Sequence, residues 1–143
     1  MAKITASAII EVLGSPKEHV NETLNMLVKK LKEDTNFKLL KHEMFDAVAV
    51  ENTPFWTGFV DIELEFKKFE QLTGFCFDYY PSSVEVIEPE NLNIKNNELS
   101  ILFNDLAARL HKTHQIVKEV HASNIVLADE IKKYRAKEAE AKK

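Results

Sequence analysis

The last third of the chain has neither glycine nor proline, and its apolar residues recur every seven positions. All three glycines and all four prolines lie before residue 90, so no strong helix breaker follows. In a heptad frame, nine of the eleven a and d positions are apolar, a repeat typical of a coiled coil. The a positions are Phe103, Leu110, Val117, Asn124 and Ile131, and the d positions are Leu99, Leu106, Thr113, Val120, Leu127 and Tyr134.

Two structures satisfy this repeat. A single helix over residues 97–137 would be about 60 Å long. That is too long for a small domain to cover, so its apolar stripe would pack against another chain. A helical hairpin would instead break near residues 121–124, where Ser123 or Asn124 could cap a second helix. Apolar residues outside the a and d positions, such as Ile116 and Ile125, keep both alternatives open.

Polar residues within the repeat bear on the choice of partner. At a buried a position, Asn124 would fix the register and the number of helices at a cost in stability; otherwise it is a cap or faces solvent. Glu130 and Arg135 hold g and e positions and could pair between parallel chains, an attraction on the order of 0.5 kcal/mol when exposed. We therefore expect the a and d residues other than Thr113 to mediate homo-oligomerisation.

The first two thirds of the chain predict a mixed α+β domain. Alternating apolar and polar residues indicate strands at 4–13 and 55–66, and weaker patterns indicate strands at 37–51 and 83–87. Helical spacing begins at Pro16 and again spans 67 to about 80. This β-α-β-β-α-β order predicts a ferredoxin-like fold, a four-stranded antiparallel sheet with two helices on one face. The domains would be 1–94 and 95–143, the second being the long helix or hairpin.

Two local patterns refine this prediction. Ser15 precedes Pro16 and is followed three residues later by Glu18, which predicts a capping box at the first helix. In the second strand, the apolar residues change parity near Asp46. A bulge or a short break there would explain the change.

Charge and composition limit the partners. The net charge is −4, but residues 1–94 carry −7 and residues 95–143 carry +3. The acidic part argues against nucleic-acid binding and repels copies of itself, so self-association would use the C-terminal segment. No apolar run approaches the ~20 residues of a membrane span, and residues 1–3 lead straight into a strand without a signal-peptide profile. With a single cysteine, these features predict a soluble cytoplasmic protein.

No catalytic constellation is visible in the sequence, so we expect neither a cofactor nor an enzymatic activity. Nucleophile-elbow, Walker and dinucleotide-binding motifs do not occur. Cys76 is interpreted as a small buried hydrophobe. His111 and His114 are three residues apart and could chelate a metal ion, but no third ligand is placed with them, and a solvated helix face is the favoured interpretation.

The predicted topology is shared with RNA-recognition domains, and residues 58–62 resemble the second half of their third-strand motif. Phe55 stands where a basic residue is expected and Thr57 where an aromatic one is expected. The acidic residues that follow would repel phosphate. Phe55 and Phe59, on an otherwise polar face, instead indicate that the C-terminal helix or another protein covers part of the sheet, with Tyr80 as a further member of this patch.

Three stretches, VLGSPKEHV at 12–20, YPSSVEV at 80–86 and LFNDLAARLH at 102–111, resemble short conserved archaeal proteins of unknown function. The resemblance spans residues 12–111 and implies a cytoplasmic setting without implying an activity. Our leading hypothesis is a non-enzymatic protein-association module that binds itself, another protein, or both. The alternatives are a small-ligand regulatory domain of the ACT type and an RNA binder.

Overall fold

The chain divides between Ile94 and Lys95 into two compact units. A computed structural model describes residues 3–142. The first unit contains four strands, β1 (Ile4–Gly14), β2 (Lys38–Ala49), β3 (Trp56–Phe66) and β4 (Ser83–Glu88), and two helices, α1 (Lys17–Glu33) and α2 (Phe69–Tyr79). The second unit is one helix, α3 (Asn96–Ala141).

The four strands form one sheet in the order β2-β3-β1-β4, and all three neighbouring pairs are antiparallel. Together with the β-α-β-β-α-β order, this confirms the predicted α+β class and its ferredoxin-like arrangement. One face of β1 and β3 packs against α1 and α2 in a single core. Its largest fully buried side chains are Ile4, Val20, Leu24, Leu31, Val60, Ile62, Leu64 and Phe66.

The start of α1 differs from the prediction. Pro16 is the residue that precedes the helix, and no side chain accepts a hydrogen bond from the first helical amides. The predicted capping box of Ser15 and Glu18 is therefore wrong. Sequence spacing places a hydroxyl near the helix start, but the backbone conformation decides whether it reaches an amide.

The predicted bulge near Asp46 is confirmed. The pairing of β2 with β3 shifts between Phe45 and Val48, and the freed Ala47 amide donates a hydrogen bond to the Asn21 side chain of α1 at 3.2 Å. Asn21 in turn donates to the Asp46 carboxylate at 2.9 Å. A helix side chain thus replaces the ladder partner that the bulge removes.

The second unit resolves the choice between one helix and a hairpin. α3 runs without a break for 46 residues, about 69 Å at the standard rise. Ser123 and Asn124 lie in its interior and cap nothing, so the hairpin alternative is wrong. At its start, the Lys95 backbone amide donates to the Glu98 carboxylate at 3.2 Å, which satisfies one of the unpaired groups of the first turn.

Candidate interaction surfaces

The first candidate surface is the seam of α3, meaning its a and d positions. None of the 46 residues of this helix is buried. The apolar seam residues from Phe103 to Tyr134 are 40% to 72% exposed, with Leu106 and Tyr134 as the extremes. A continuous apolar stripe of this length is far larger than the scattered apolar residues of an ordinary protein surface.

The residues predicted for oligomerisation all lie on this one helix. Leu99 is partly buried, while Asn124 and Thr113 are exposed like their apolar neighbours. Several apolar residues outside the seam, including Ile101 and Ile125, are also more than half exposed. Exposure alone therefore does not distinguish the seam from the rest of α3. The heptad repeat does, because it identifies the apolar residues that share one face of the helix.

The second candidate surface is the face of the sheet opposite the helices. Residues paired across neighbouring strands point to the same face, so the register defines rows of side chains. Two rows at one end of this face are mainly apolar. They contain Leu13, Thr57 and Val48, then Glu11, Phe59 and Phe45.

These rows define an apolar patch that differs in part from the predicted one. Phe59 is half-buried beside the exposed Phe45. Phe55 precedes β3 at the same end and is 44% exposed. Tyr80 is exposed but belongs to the link from α2 to β4, and β1 separates β4 from β3 in the sheet.

The sequence interpretation missed Leu13, Phe45 and Val48 as patch residues. Leu13 lies two residues after the exposed Glu11 on β1 and is exposed as well. The alternation of the strand therefore predicts that both side chains lie on the same face. The position of Phe45 and Val48 depends on where β2 bulges, and the sequence located that bulge only approximately. The patch is therefore larger than two phenylalanines.

The remaining rows of the same face are charged. They pair Asp61 with Glu43, Glu63 with Lys41, and Glu65 with Lys38, and Glu65 also forms a 3.1 Å ion pair with Lys3. Ser7, Lys41, Asp61 and Glu63 line a shallow concavity there. The face thus changes from apolar to mainly acidic along the strands.

The predicted chemical candidates are not gathered into a site. His111 and His114 lie on exposed α3, and within residues 3–142 no three His, Cys, Asp or Glu side chains are placed to hold a metal ion. Cys76 is half-buried on α2, and this burial raises the pKa of its thiol. A raised thiol pKa disfavours the thiolate that nucleophilic chemistry needs.

For residues 3–142, every helix is too short or too polar to cross a bilayer.

Comparison with known proteins identifies relatives over most of the chain. A stretch of 97 residues, 68% of this chain, is 36% identical to "Uncharacterized protein MJ0538" of Methanocaldococcus jannaschii and covers 36% of that protein. Another match is 31% identical over 107 residues to one of the subunits of an ATP-dependent helicase/deoxyribonuclease of Clostridium botulinum, covering 73% of this chain but 8% of that protein. The chain thus spans well under two thirds of either relative. No solved structure matches it.

The match to a family is broader than either pairwise match. The sequence model of the MJ0538 family matches residues 5–138, which include the whole of the 12–111 region that resembles conserved archaeal proteins. That resemblance is confirmed. The chain belongs to the MJ0538 family.

Proposed function

We propose that this chain is a non-enzymatic association module in which the α3 seam binds the α3 seam of a second copy. The observation that carries the proposal is a 46-residue helix with no buried residue and a heptad-spaced apolar stripe. Most helices in proteins owe their stability to packing of an apolar face rather than to intrinsic propensity. α3 lacks such packing within the described part of the chain.

A second copy suits this stripe because the heptad repeat is the pattern by which helices interlock. Each a or d side chain inserts between four residues of a facing helix, and two copies carry the same seam, so the contact is self-complementary. The segment from residue 95 onward has a net charge of only +3. Repulsion between two such segments is therefore modest compared with that between the −7 N-terminal units.

The apolar area is sufficient for stable pairing. Complete burial of one large apolar side chain contributes about 1.5–3 kcal/mol, and the seam side chains still expose about half of their area. Each therefore has about 1 kcal/mol left to contribute. Two copies bring eighteen apolar seam residues, which outweighs an association cost on the order of 4–15 kcal/mol.

Two substitutions within one turn of α3 test the proposal. Leu127 lies in the seam and is 54% exposed, whereas Ile125 lies outside it and is 53% exposed. We expect Leu127→Glu to convert the oligomer to a monomer because it buries a charge at the interface. Ile125→Glu makes the same chemical change on a solvent-facing part of the helix and should preserve the oligomer.

Sedimentation velocity over a range of concentrations measures the outcome. Neither residue is buried in the single chain, so neither substitution removes a core contact from the first unit. A wild-type protein that is monomeric at all concentrations would overturn the proposal. Equal dissociation by both variants would also overturn it, since the seam would then not be the interface.

An RNA- or DNA-binding role ranks below association. Two observations favour nucleic-acid binding. They are the name of the bacterial relative and the Phe45–Phe59 pair on the open face of the sheet. Glu11 and Asp61, which neighbour Phe59 on that face, place negative charge where a phosphate backbone would approach. We expect no change in the anisotropy of a labelled single-stranded oligonucleotide at low salt.

An ACT-type regulatory role would be indicated by a ligand that raises the melting temperature.

The archaeal relative and the lone, half-buried Cys76 support a cytoplasmic setting in an archaeal cell as part of the same proposal.

A further inference from the structure

The α3 seam is palindromic from Phe103 to Tyr134. Two seam residues equidistant from the point between Lys118 and Glu119 belong to the same class, one at an a position and the other at a d position. Aromatic matches aromatic, polar matches polar, and aliphatic matches aliphatic. The pairs are Phe103 with Tyr134, Leu110 with Leu127, Val117 with Val120, Asn124 with Thr113, and Ile131 with Leu106.

We propose that two copies of α3 pair in an antiparallel orientation, on a two-fold axis that passes between Lys118 and Glu119. This inference rests on the proposed self-association and specifies its geometry. In an antiparallel coiled coil an a position of one helix faces a d position of the other, so the palindrome matches every seam layer between residues 103 and 134. A parallel pair places each residue opposite itself and needs no such symmetry.

The polar pair sets the register. In the symmetric alignment, Asn124 of one copy faces Thr113 of the other, and their amide and hydroxyl groups can hydrogen-bond. A shift by one heptad in either direction would place Asn124 opposite Leu106 or Val120 and leave its amide unpaired among apolar groups. Asn124 thus disfavours the alternative registers.

Two pairs of residues that flank the seam are compatible with this alignment. Arg109 of one copy lies within two residues, about 3 Å along the axis, of the position opposite Glu130 of the other, and Ala107 lies equally close to the position opposite Ala128. The first is a pair of opposite charges, and the second is a pair of small residues that lets the helices approach closely. Because the axis is two-fold, each pair occurs twice.

The charge of the N-terminal units also favours this orientation. Each copy carries −7 in residues 1–94, and a parallel pair would begin both helices at the same end. An antiparallel pair separates the two Asn96 residues by 45 residues, or about 68 Å. The two points at which the acidic units join their helices are then many Debye lengths apart, because the Debye length is about 8–10 Å in ordinary salt.

Spin labels on the outer side of α3 test the orientation in the full chain. Asn104→Cys and Lys118→Cys, each in a Cys76→Ala background, place one label per copy outside the seam. In the antiparallel pair, residue 104 lies opposite residue 133, so the two labels at 104 are offset along the helix axis by about 44 Å. The two labels at 118 have almost no axial offset in either orientation, and serve as the control for pairing.

Pulsed dipolar spectroscopy distinguishes the outcomes. A long distance at 104 with a short distance at 118 supports the antiparallel pair, and a one-heptad shift would change the distance at 104 by about 10 Å. Short distances at both positions indicate a parallel pair, which overturns this inference but leaves the proposed function standing. The absence of any intermolecular distance at both positions overturns both.

Discussion

Gly58 is the residue at which the first unit is packed most tightly. It lies on β3 beneath α1, and a Cβ atom built on it would come within 2.7 Å of Leu24 Cδ1 and 3.1 Å of Val20 Cγ1. Both neighbours are buried core side chains with little freedom to move. Gly74 on α2 is the opposite case, since a Cβ atom there would meet nothing within 4 Å.

Alanine substitutions at these two glycines should change stability in opposite directions. We expect Gly58→Ala to lower the free energy of unfolding by about 1–3 kcal/mol, because the added methyl group overpacks the core. Gly74→Ala should raise it by about 0.5–1 kcal/mol, because alanine is the better helix former. Urea denaturation measures both values. A neutral Gly58→Ala would contradict the close packing of α1 on β3.

A second residue-scale contact joins the end of α1 to α2. The buried Tyr79 hydroxyl donates a 2.8 Å hydrogen bond to the Asp34 carboxylate. Burial and this hydrogen bond raise the pKa of Tyr79. Burial opposes ionisation of Asp34, but hydrogen bonds from the Asn36 amide and from Tyr79 prevail and lower the pKa of Asp34.

The stability effect of Tyr79→Phe should therefore depend on pH. At neutral pH we expect a loss of about 1 kcal/mol for the missing hydrogen bond. A carboxylate with a lowered folded-state pKa stabilises above its unfolded-state value and loses that contribution as the pH falls, so the difference should shrink below about pH 4. A phenol with a raised pKa loses its contribution at high pH, so the difference should also shrink above about pH 10. Urea denaturation of both proteins from about pH 3 to 10.5 measures this window. A difference that stays constant would contradict the ionised Asp34 acceptor.

At the scale of elements, a side chain of α1 supplies a hydrogen-bond partner that the bulge removes from β2. The ladder with β3 is interrupted between Phe45 and Val48, yet Ala47 is turned inward and only 4% exposed. The Asn21 side chain accepts a hydrogen bond from the Ala47 amide. The Lys17 ammonium group forms a 2.9 Å ion pair with the Asp46 carboxylate. The hydrogen bonds from Lys17 and Asn21 lower the pKa of the Asp46 carboxyl.

Removing the Asn21 side chain should weaken this junction. We expect Asn21→Ala to cost about 1 kcal/mol, because it leaves the Ala47 amide without its partner, and to speed hydrogen exchange at that amide. Asn25→Ala makes the same change on an exposed turn of α1 and serves as the control for helix propensity. Equal effects of both substitutions on exchange at Ala47 would show that Asn21 does not hold the bulge.

At the scale of the whole molecule, the two units are stabilised in different ways. The first unit has one core between a sheet and two helices. The helix α3, which forms the second unit, has no buried residue, and we propose that a second copy covers its apolar face. The unequal charges of the two parts are consistent with that proposal, because the −7 of residues 1–94 exceeds in magnitude the +3 of residues 95–143 and like charges repel.

Periodicity in the sequence was sufficient for the element types and their order. Alternation identified β1 and β3, helical spacing identified α1 and α2, and the change of parity near Asp46 located the bulge. These signals are local because one face of each element is buried. Apolar residues therefore recur on the buried face and polar residues on the exposed face, with the period of the element itself. The heptad of α3 was equally clear, and so was the resemblance to an archaeal family.

The three-dimensional structure was needed wherever the answer depended on contacts distant in sequence. One helix and a hairpin carry the same a and d repeat, so only the unbroken backbone through Ser123 and Asn124 separated them. Leu13, Phe45 and Val48 joined the apolar patch because strand register and order decide which side chains become neighbours. Periodicity reports which face of an element is apolar, whereas the neighbours of that face follow from how the elements pack.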